Sequence, residues 1–470
     1  MLNALIFLPL LAGVFSFSCN KSSIKPFAVF ASLGFLLLNY YLFITCTNSG
    51  FFHITQFNLA PVVGLQYAVA FDSTAALLSL LSSLMVFLSF LALDLKSKSE
   101  VACIFILQTC MIGLFAATDV LIFYVFWEAS LLPMIYLMGR FGVMKTGIKF
   151  FVYAFFGSIF MLVAILYIGG ILCPKELGYM SFLIQDWLSL KISFKAQAWL
   201  FLAFFLAFAI KSPLFPLHTW APAAYTKAPI LVSVMLVGFK MAPFGFLRYC
   251  LPLFPDAIRE YSLLLLSLCV ISAIYAGLIA FKLKNIKQIV TYSSISHIGI
   301  MLLGLFAMSD LGVKGAVFYM FAHGLVTGLL FICGNIIYNK TGTFNINHLG
   351  GIAQEMPLFT FFFALLLFAS ISLPFTISFV GEFIVLLAAF KANAIIGILA
   401  TFMVVIGAVY MLNVFRLVFF KTNPNSRKIT SASLSKGEIL ALSLGAILVI
   451  YLGIHPNPFL DIIYTTAILR

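Results

Sequence analysis

Apolar runs of helix length follow one another along nearly the whole chain, separated only by short polar stretches. Hydrocarbon offers no partner to a backbone N–H or C=O, so a chain that crosses it must satisfy those groups internally, as a helix or a closed barrel. A spanning helix takes about 20 apolar residues, whereas a barrel strand takes roughly ten of alternating polarity. The runs here are of the first kind. They predict an all-α polytopic membrane protein with about fourteen transmembrane helices, near 2–18, 26–46, 73–94, 101–117, 120–139, 149–172, 197–218, 229–250, 261–281, 287–307, 312–338, 357–390, 394–420 and 437–455. With 63% of 470 residues hydrophobic and 9% charged, little or nothing is left for a soluble domain. Met1–Phe17 is apolar from its first residue and lacks a basic start, so it reads as a first span rather than a signal peptide.

The net charge of +13 sits in the loops between these runs, with no aromatic-interleaved basic domain to hold a nucleic acid. It informs orientation instead. With the N-terminus outside, the inner loops hold Lys21, Lys25, Lys96, Lys98, Arg140, Lys145, Lys149, Lys227, Lys282, Lys284, Lys287, Lys340, Lys421, Arg427, Lys428 and Lys436. The outer loops hold about half as many basic residues, Arg470 among them, which favours both termini outside. The 47–72 stretch has no Lys or Arg and reads as an external loop. Eight scattered cysteines form no C-x-x-C, so neither an iron–sulfur cluster nor zinc is expected on this chain. His348 and His455 read as loop residues.

Against this apolar background, six ionisable residues stand out: Glu128, Lys211, Lys240, His297, His323 and Glu382 lie well inside their runs, near mid-membrane. A charge there costs about 2.5–3.5 kcal/mol even on the mildest scale, so such residues mark a path for protons or ions. Lys240 is too deep to snorkel easily and is a candidate proton-exchanging residue. Glu128 has Lys211 as its natural partner, and the pair is either a structural ion pair or a switch that opens and closes. His297 and His323 occupy consecutive helices and suit a hydrated relay, the bland alternative being two hydrogen-bonded core histidines. Glu382 is a terminal proton site or an anchor for its helix. His218, nearer the inner surface, is an uptake residue or simply interfacial. A row of lysines suits protons better than sodium, which needs oxygen ligands.

Two runs carry prolines beside a charge. Lys211 is followed by Pro213 and Pro216, and Pro374 precedes Gly381-Glu382. Proline frees a carbonyl in the preceding turn, so both helices are expected to be broken. Paired breaks are the pattern of transporters built from two inverted repeats. The expected organisation is helices 1–3 in 1–100, a first five-helix half-channel in 101–250, a second in 251–420, and an inner loop with the last helix in 421–470.

Several of these segments form a recognisable set. Phe123-Tyr-Val-Phe-Trp-Glu128-Ala-Ser-Leu-Leu-Pro133-Met resembles the fifth-helix signature of the antiporter-like subunits of complex I. Ala207-Phe-Ala-Ile-Lys211-Ser-Pro-Leu-Phe-Pro216-Leu-His218-Thr-Trp220 resembles the seventh, and Ala228-Pro-Ile-Leu-Val-Ser through Lys240 to Arg248 the eighth. Lys287 through His297-Ile-Gly299, Ala322-His323-Gly324, Gly381-Glu382-Phe383 and Tyr451-Leu-Gly-Ile-His-Pro456-Asn-Pro458 complete the likeness, which spans nearly the whole chain. Glu382 matches the glutamate of the M type (chain 4), where the L and N types carry lysine, and no long lateral helix of the L type follows the last span. The resemblance implies a fourteen-helix translocase subunit of the membrane arm of an NADH:quinone oxidoreductase. It implies a Glu128–Lys211 switching pair, Lys240 as central carrier and Glu382 on the exit side. NADH, FMN, iron–sulfur clusters and quinone would belong to partner subunits, with L-type and N-type subunits alongside in the lipid bilayer. The implied location is the bacterial cytoplasmic (inner) membrane rather than an organellar one. The same likeness leaves open a Mrp-type Na+/H+ antiporter subunit, a subunit of a membrane-bound hydrogenase or ferredoxin-linked complex, and a non-conducting spacer. One stretch departs from the family. Where the family reads Leu-Pro-Asp-Ala-His-x-Glu-Ala-Pro, this chain has Ala223, Tyr225 and Lys227 in place of the aspartate, histidine and glutamate.

Overall fold

The computed structural model describes residues 1–46, 50–95, 97–238, 240–421, 427, 429 and 433–463. Lys96, Lys428, Arg470 and most of the inner loop read at 421–436 lie outside them. Among the described residues, twelve helices are long and apolar enough to cross a membrane, and two shorter apolar helices, Leu2–Ser18 and Pro357–Ser370, accompany them. Their burial is graded. Ser73–Ala92 and Asp310–Thr341 are enclosed along their whole apolar windows, and Lys98–Ala116, Ile230–Leu253 and Ile286–Phe306 nearly so. Ile24–Thr45, Met144–Leu177 and Ala394–Phe420 keep much of their surface outward, where lipid would cover it. The enclosed Ser73–Ala92 helix satisfies its hydroxyls internally, Ser82 donating to Leu78 O at 3.1 Å and Ser89 to Met85 O at 2.7 Å. Polar groups so placed do not need lipid or water as partners.

Both proline-marked helices are broken. Phe194–Lys211 stops at the lysine, and Ala221–Lys227 resumes after a turn that holds Pro213 and Pro216. The indole Nε1 of Trp220 donates to Ile210 O at 2.8 Å, and Leu214 N to Ala209 O at 3.0 Å, so the carbonyls at the break find donors. The expected single span 357–390 is two helices, Pro357–Ser370 and Ile377–Ala392, around a turn containing Pro374. Here Ser372 and Phe375 adopt φ of +55° and +70°, a region L side chains rarely occupy. A third interruption was not expected. The run at 229–250 divides into Ile230–Gly238 and Met241–Gly245, with Lys240 in non-helical geometry at the junction. Pro243, three residues on, has no N–H with which to continue the preceding turn.

The expected external loop also contains regular structure. Strands β1 (Phe52–Ala60) and β2 (Leu65–Phe71) form an antiparallel hairpin in the otherwise helical chain, closed by Gly64 at φ +69°. Its aromatic and β-branched residues favour a pleated ribbon. Asp119 ties it down. Its Oδ2 accepts from Gln66 N at 3.1 Å, and its Oδ1 caps the next helix by accepting from Leu121 N at 2.8 Å and Ile122 N at 3.1 Å. Asp72, at the end of β2, caps Ser73–Ala92 through Ala75 N and pairs with Arg248 at 2.8 Å.

Candidate functional site

The broken helices bring the stranded residues into the interior. At the junction of its divided helix, the ammonium of Lys240 donates to Val237 O and lies 2.9 Å from Nδ1 of His323. The imidazole of His323 stands 5.7 Å, centroid to centroid, from that of His297. Next in line, Nδ1 of His297 is 2.6 Å from the hydroxyl of Tyr319, which lies 3.2 Å from Oε2 of Glu382. Ser372, at the positive-φ turn, donates to the same Oε2. Lys240, His323, His297, Tyr319 and Glu382 are all buried, and together they form a polar file that starts at Lys240 and runs through the helices beyond residue 286. Among the described residues, Nε2 of His323 and Oε1 of Glu382 are buried with no partner, so each can still accept or donate one further hydrogen bond.

Tyr319 and Ser372 escaped the sequence reading. A tyrosine in an apolar helix resembles any core aromatic, and the one available signal is that Tyr319 precedes His323 by four residues, hence on the same helix face. The approach of Ile377–Ala392 to Asp310–Thr341 depends on Gly381. A Cβ there would lie 2.8 Å from Tyr319 Cβ and 2.9 Å from its N and Cα. Without a side chain at 381 the two helices touch, and Glu382 reaches the phenol.

Lys211 and Glu128 are arranged differently. The ammonium of Lys211 lies 3.3 Å from Trp127 O, 3.2 Å from Ser130 Oγ and 4.1 Å above the Trp127 ring. It does not reach the carboxylate of Glu128, which faces Ser158 and keeps one buried oxygen without a partner among the described residues. In this conformation the pair is open. Glu128 is only half-buried by the chain itself. A cavity of about 30 Å³ adjoins Lys211, lined by Ser130, Trp220, Tyr225, Leu236 and Met241 among others. It reaches from Lys211 to Leu236 and Met241, in the segment that carries Lys240.

Tyr225 is buried and donates to Leu236 O at 3.3 Å, while Lys227 is exposed. His218 is buried between Phe215 and Tyr275, its Nδ1 without a partner among the described residues. Nearby, Lys287 is buried rather than in an open loop and donates to Ala228 O. It lines a cavity of about 270 Å³ that also takes in Asp94, Glu100, Asn335 and Asn339. His348 and His455 are exposed, away from the file.

Residues 117–407 match the family model described as "NADH:quinone oxidoreductase/Mrp antiporter, TM". The chain is 34% identical to NADH-quinone oxidoreductase subunit M of Rickettsia prowazekii, over 98% of this chain and 96% of that one. A chain of respiratory complex I from Thermus thermophilus with bound NADH superposes with a TM-score of 0.88 at 31% identity, covering 98% of this chain and 99% of that one. A chain of the Mrp complex from Dietzia sp. shares the fold at a TM-score of 0.84 and 19% identity, over 98% and 96%. The chain is thus a multi-pass membrane protein that belongs to the NADH:quinone oxidoreductase/Mrp antiporter membrane-subunit family.

Proposed function

We propose that this chain is a proton-translocating, M-type membrane-arm subunit of a respiratory NADH:quinone oxidoreductase. The observation that carries this reading is the buried file from Lys240 through His323, His297 and Tyr319 to Glu382, because such groups are kept in a bilayer for transport rather than stability. Its parts divide the work. Glu128 and Lys211 form the switch, found here open, with the ammonium parked on a carbonyl, a hydroxyl and an indole face. Closing the pair gives Lys211 an anion and holds its proton; opening it frees that proton for Lys240. Lys240 passes it to the histidines, and Glu382 releases it outside.

The half-buried carboxylate of Glu128 supports a neighbouring subunit, since a mid-membrane carboxylate is not left to lipid. We assign L-type and N-type subunits as those neighbours. NADH, FMN, iron–sulfur clusters and quinone are assigned to other subunits, so this chain takes part in the translocase without redox chemistry of its own. The setting is the bacterial cytoplasmic membrane with both termini outside, fourteen spans, and two inverted half-channels each built round a proline break.

The test is proton uptake by the purified whole complex in proteoliposomes, with electron transfer recorded in the same sample. Lys240→Ala should assemble and lose pumping at least tenfold. Unchanged pumping and turnover would make the chain a spacer.

A further inference from the structure

We infer that the Tyr319 hydroxyl is a single-proton valve between His297 and Glu382, an assignment that rests on the pump reading above. The phenol carries one hydrogen and faces two acceptors, His297 Nδ1 at 2.6 Å and Glu382 Oε2 at 3.2 Å, so it donates to one at a time. All three groups are buried among packed helices, and the Gly381 contact leaves no slack between the backbones that hold them.

The step balances without an outside reactant. With His297 protonated and Glu382 ionised, the Nδ1–H points at the phenol oxygen and the phenol O–H at the carboxylate. As the N–H bond of His297 breaks, a new O–H bond forms on Tyr319. The original phenol O–H breaks, and its proton forms the O–H of Glu382. The products are a neutral imidazole, an unchanged phenol and a neutral carboxylic acid. The phenol hydrogen now lies on the histidine side. A second proton cannot follow until that hydroxyl rotates about its C–O bond, and the pull to rotate returns only when Glu382 has lost its proton, because a carboxylate is the stronger acceptor. Each rotation passes one proton, and each waits for discharge on the exit side.

Ser372 sets the receiving end. Its hydroxyl holds Oε2 of Glu382 from the turn, at a backbone φ of +55°. That leaves the phenol as the donor on the other side of the same oxygen.

Two substitutions at position 319 test this in the whole reconstituted complex, beside Lys240→Ala. Tyr319→Phe keeps the ring and removes the valve; proton pumping should fall at least tenfold. Replacing Tyr319 with 3,5-difluorotyrosine keeps both ring and hydroxyl but makes the phenol more acidic; the pH profile of pumping should shift. The inference is overturned if Tyr319→Phe pumps like wild type while Lys240→Ala does not, since the phenol then only fills space. If Tyr319→Phe does not assemble, the fluorinated protein decides, and an unshifted profile overturns the inference. Wild-type pumping in both Tyr319→Phe and Lys240→Ala would instead remove the pump reading itself.

Discussion

At the scale of single residues, the six stranded ionisable groups were legible because depth alone singles them out in an apolar run. Their partners were not, since hydrogen bonds between helices leave no mark on either sequence segment. The sequence pointed Lys211 at Glu128, yet its ammonium rests on Trp127 O, Ser130 Oγ and the Trp127 ring. Those three are a neutral resting place, and an ammonium over an indole is stabilised by about 0.5–2 kcal/mol. A closing carboxylate has to exceed that, which makes the charge on Glu128 the decisive property. Glu128→Gln should therefore cut turnover-coupled pumping by an order of magnitude, and Glu128→Asp, which keeps the charge on a shorter stem, by only a few-fold. Equal rates for the two in proteoliposomes would remove the case for a charge switch.

Individual elements were read unevenly, for physical reasons. The breaks after Lys211 and around Pro374 were visible because proline announces the loss of a helical hydrogen bond. The break at Lys240 was hidden because its proline, Pro243, comes after the interruption inside an unbroken apolar run. The β1–β2 hairpin was less legible, because a stretch without Lys or Arg marks a side of the membrane and not a strand, and its short alternation is a weak signal beside the apolar runs. The turn before Ile377–Ala392 holds two residues in left-handed geometry, of which only Ser372 contacts Glu382. Phe375, at φ +70°, is 74% exposed, and it is its carbonyl rather than its ring that packs on the structure, against Gly453. Left-handed geometry costs an L residue roughly 1–2 kcal/mol. Phe375→Gly should thus stabilise the turn by about 1 kcal/mol and raise the thermal midpoint of the detergent-solubilised complex; a lowered midpoint would show that the exposed ring is held by a neighbour.

Over the whole molecule, the hairpin fastens the extramembrane ends of several helices together. Asp119 joins it to the helix that carries Glu128, and Asp72 joins it to Arg248, eight residues beyond Lys240. Arg248 lies over Phe51 and Phe244, at 5.3 and 5.0 Å, so the pair is packed as well as charged. If both termini are outside, this clamp is outside too. A cysteine placed at Val62, which is 93% exposed at the hairpin tip, should react with a membrane-impermeant maleimide from the outer face of intact cells. Labelling only in inverted vesicles would reverse the orientation. The interior is closed by comparison. The cavity of about 30 Å³ beside Lys211 has room for only one or two waters, since each needs roughly 10–15 Å³ of such space. A proton path from Lys211 to Lys240 along a longer water chain requires the walls formed by Ser130, Tyr225, Leu236 and Met241 to part. Conduction then carries an activation volume. The pump would answer to osmotic stress as well as to acidity, slowing when solutes too large to enter draw water from the protein and quickening when they are removed.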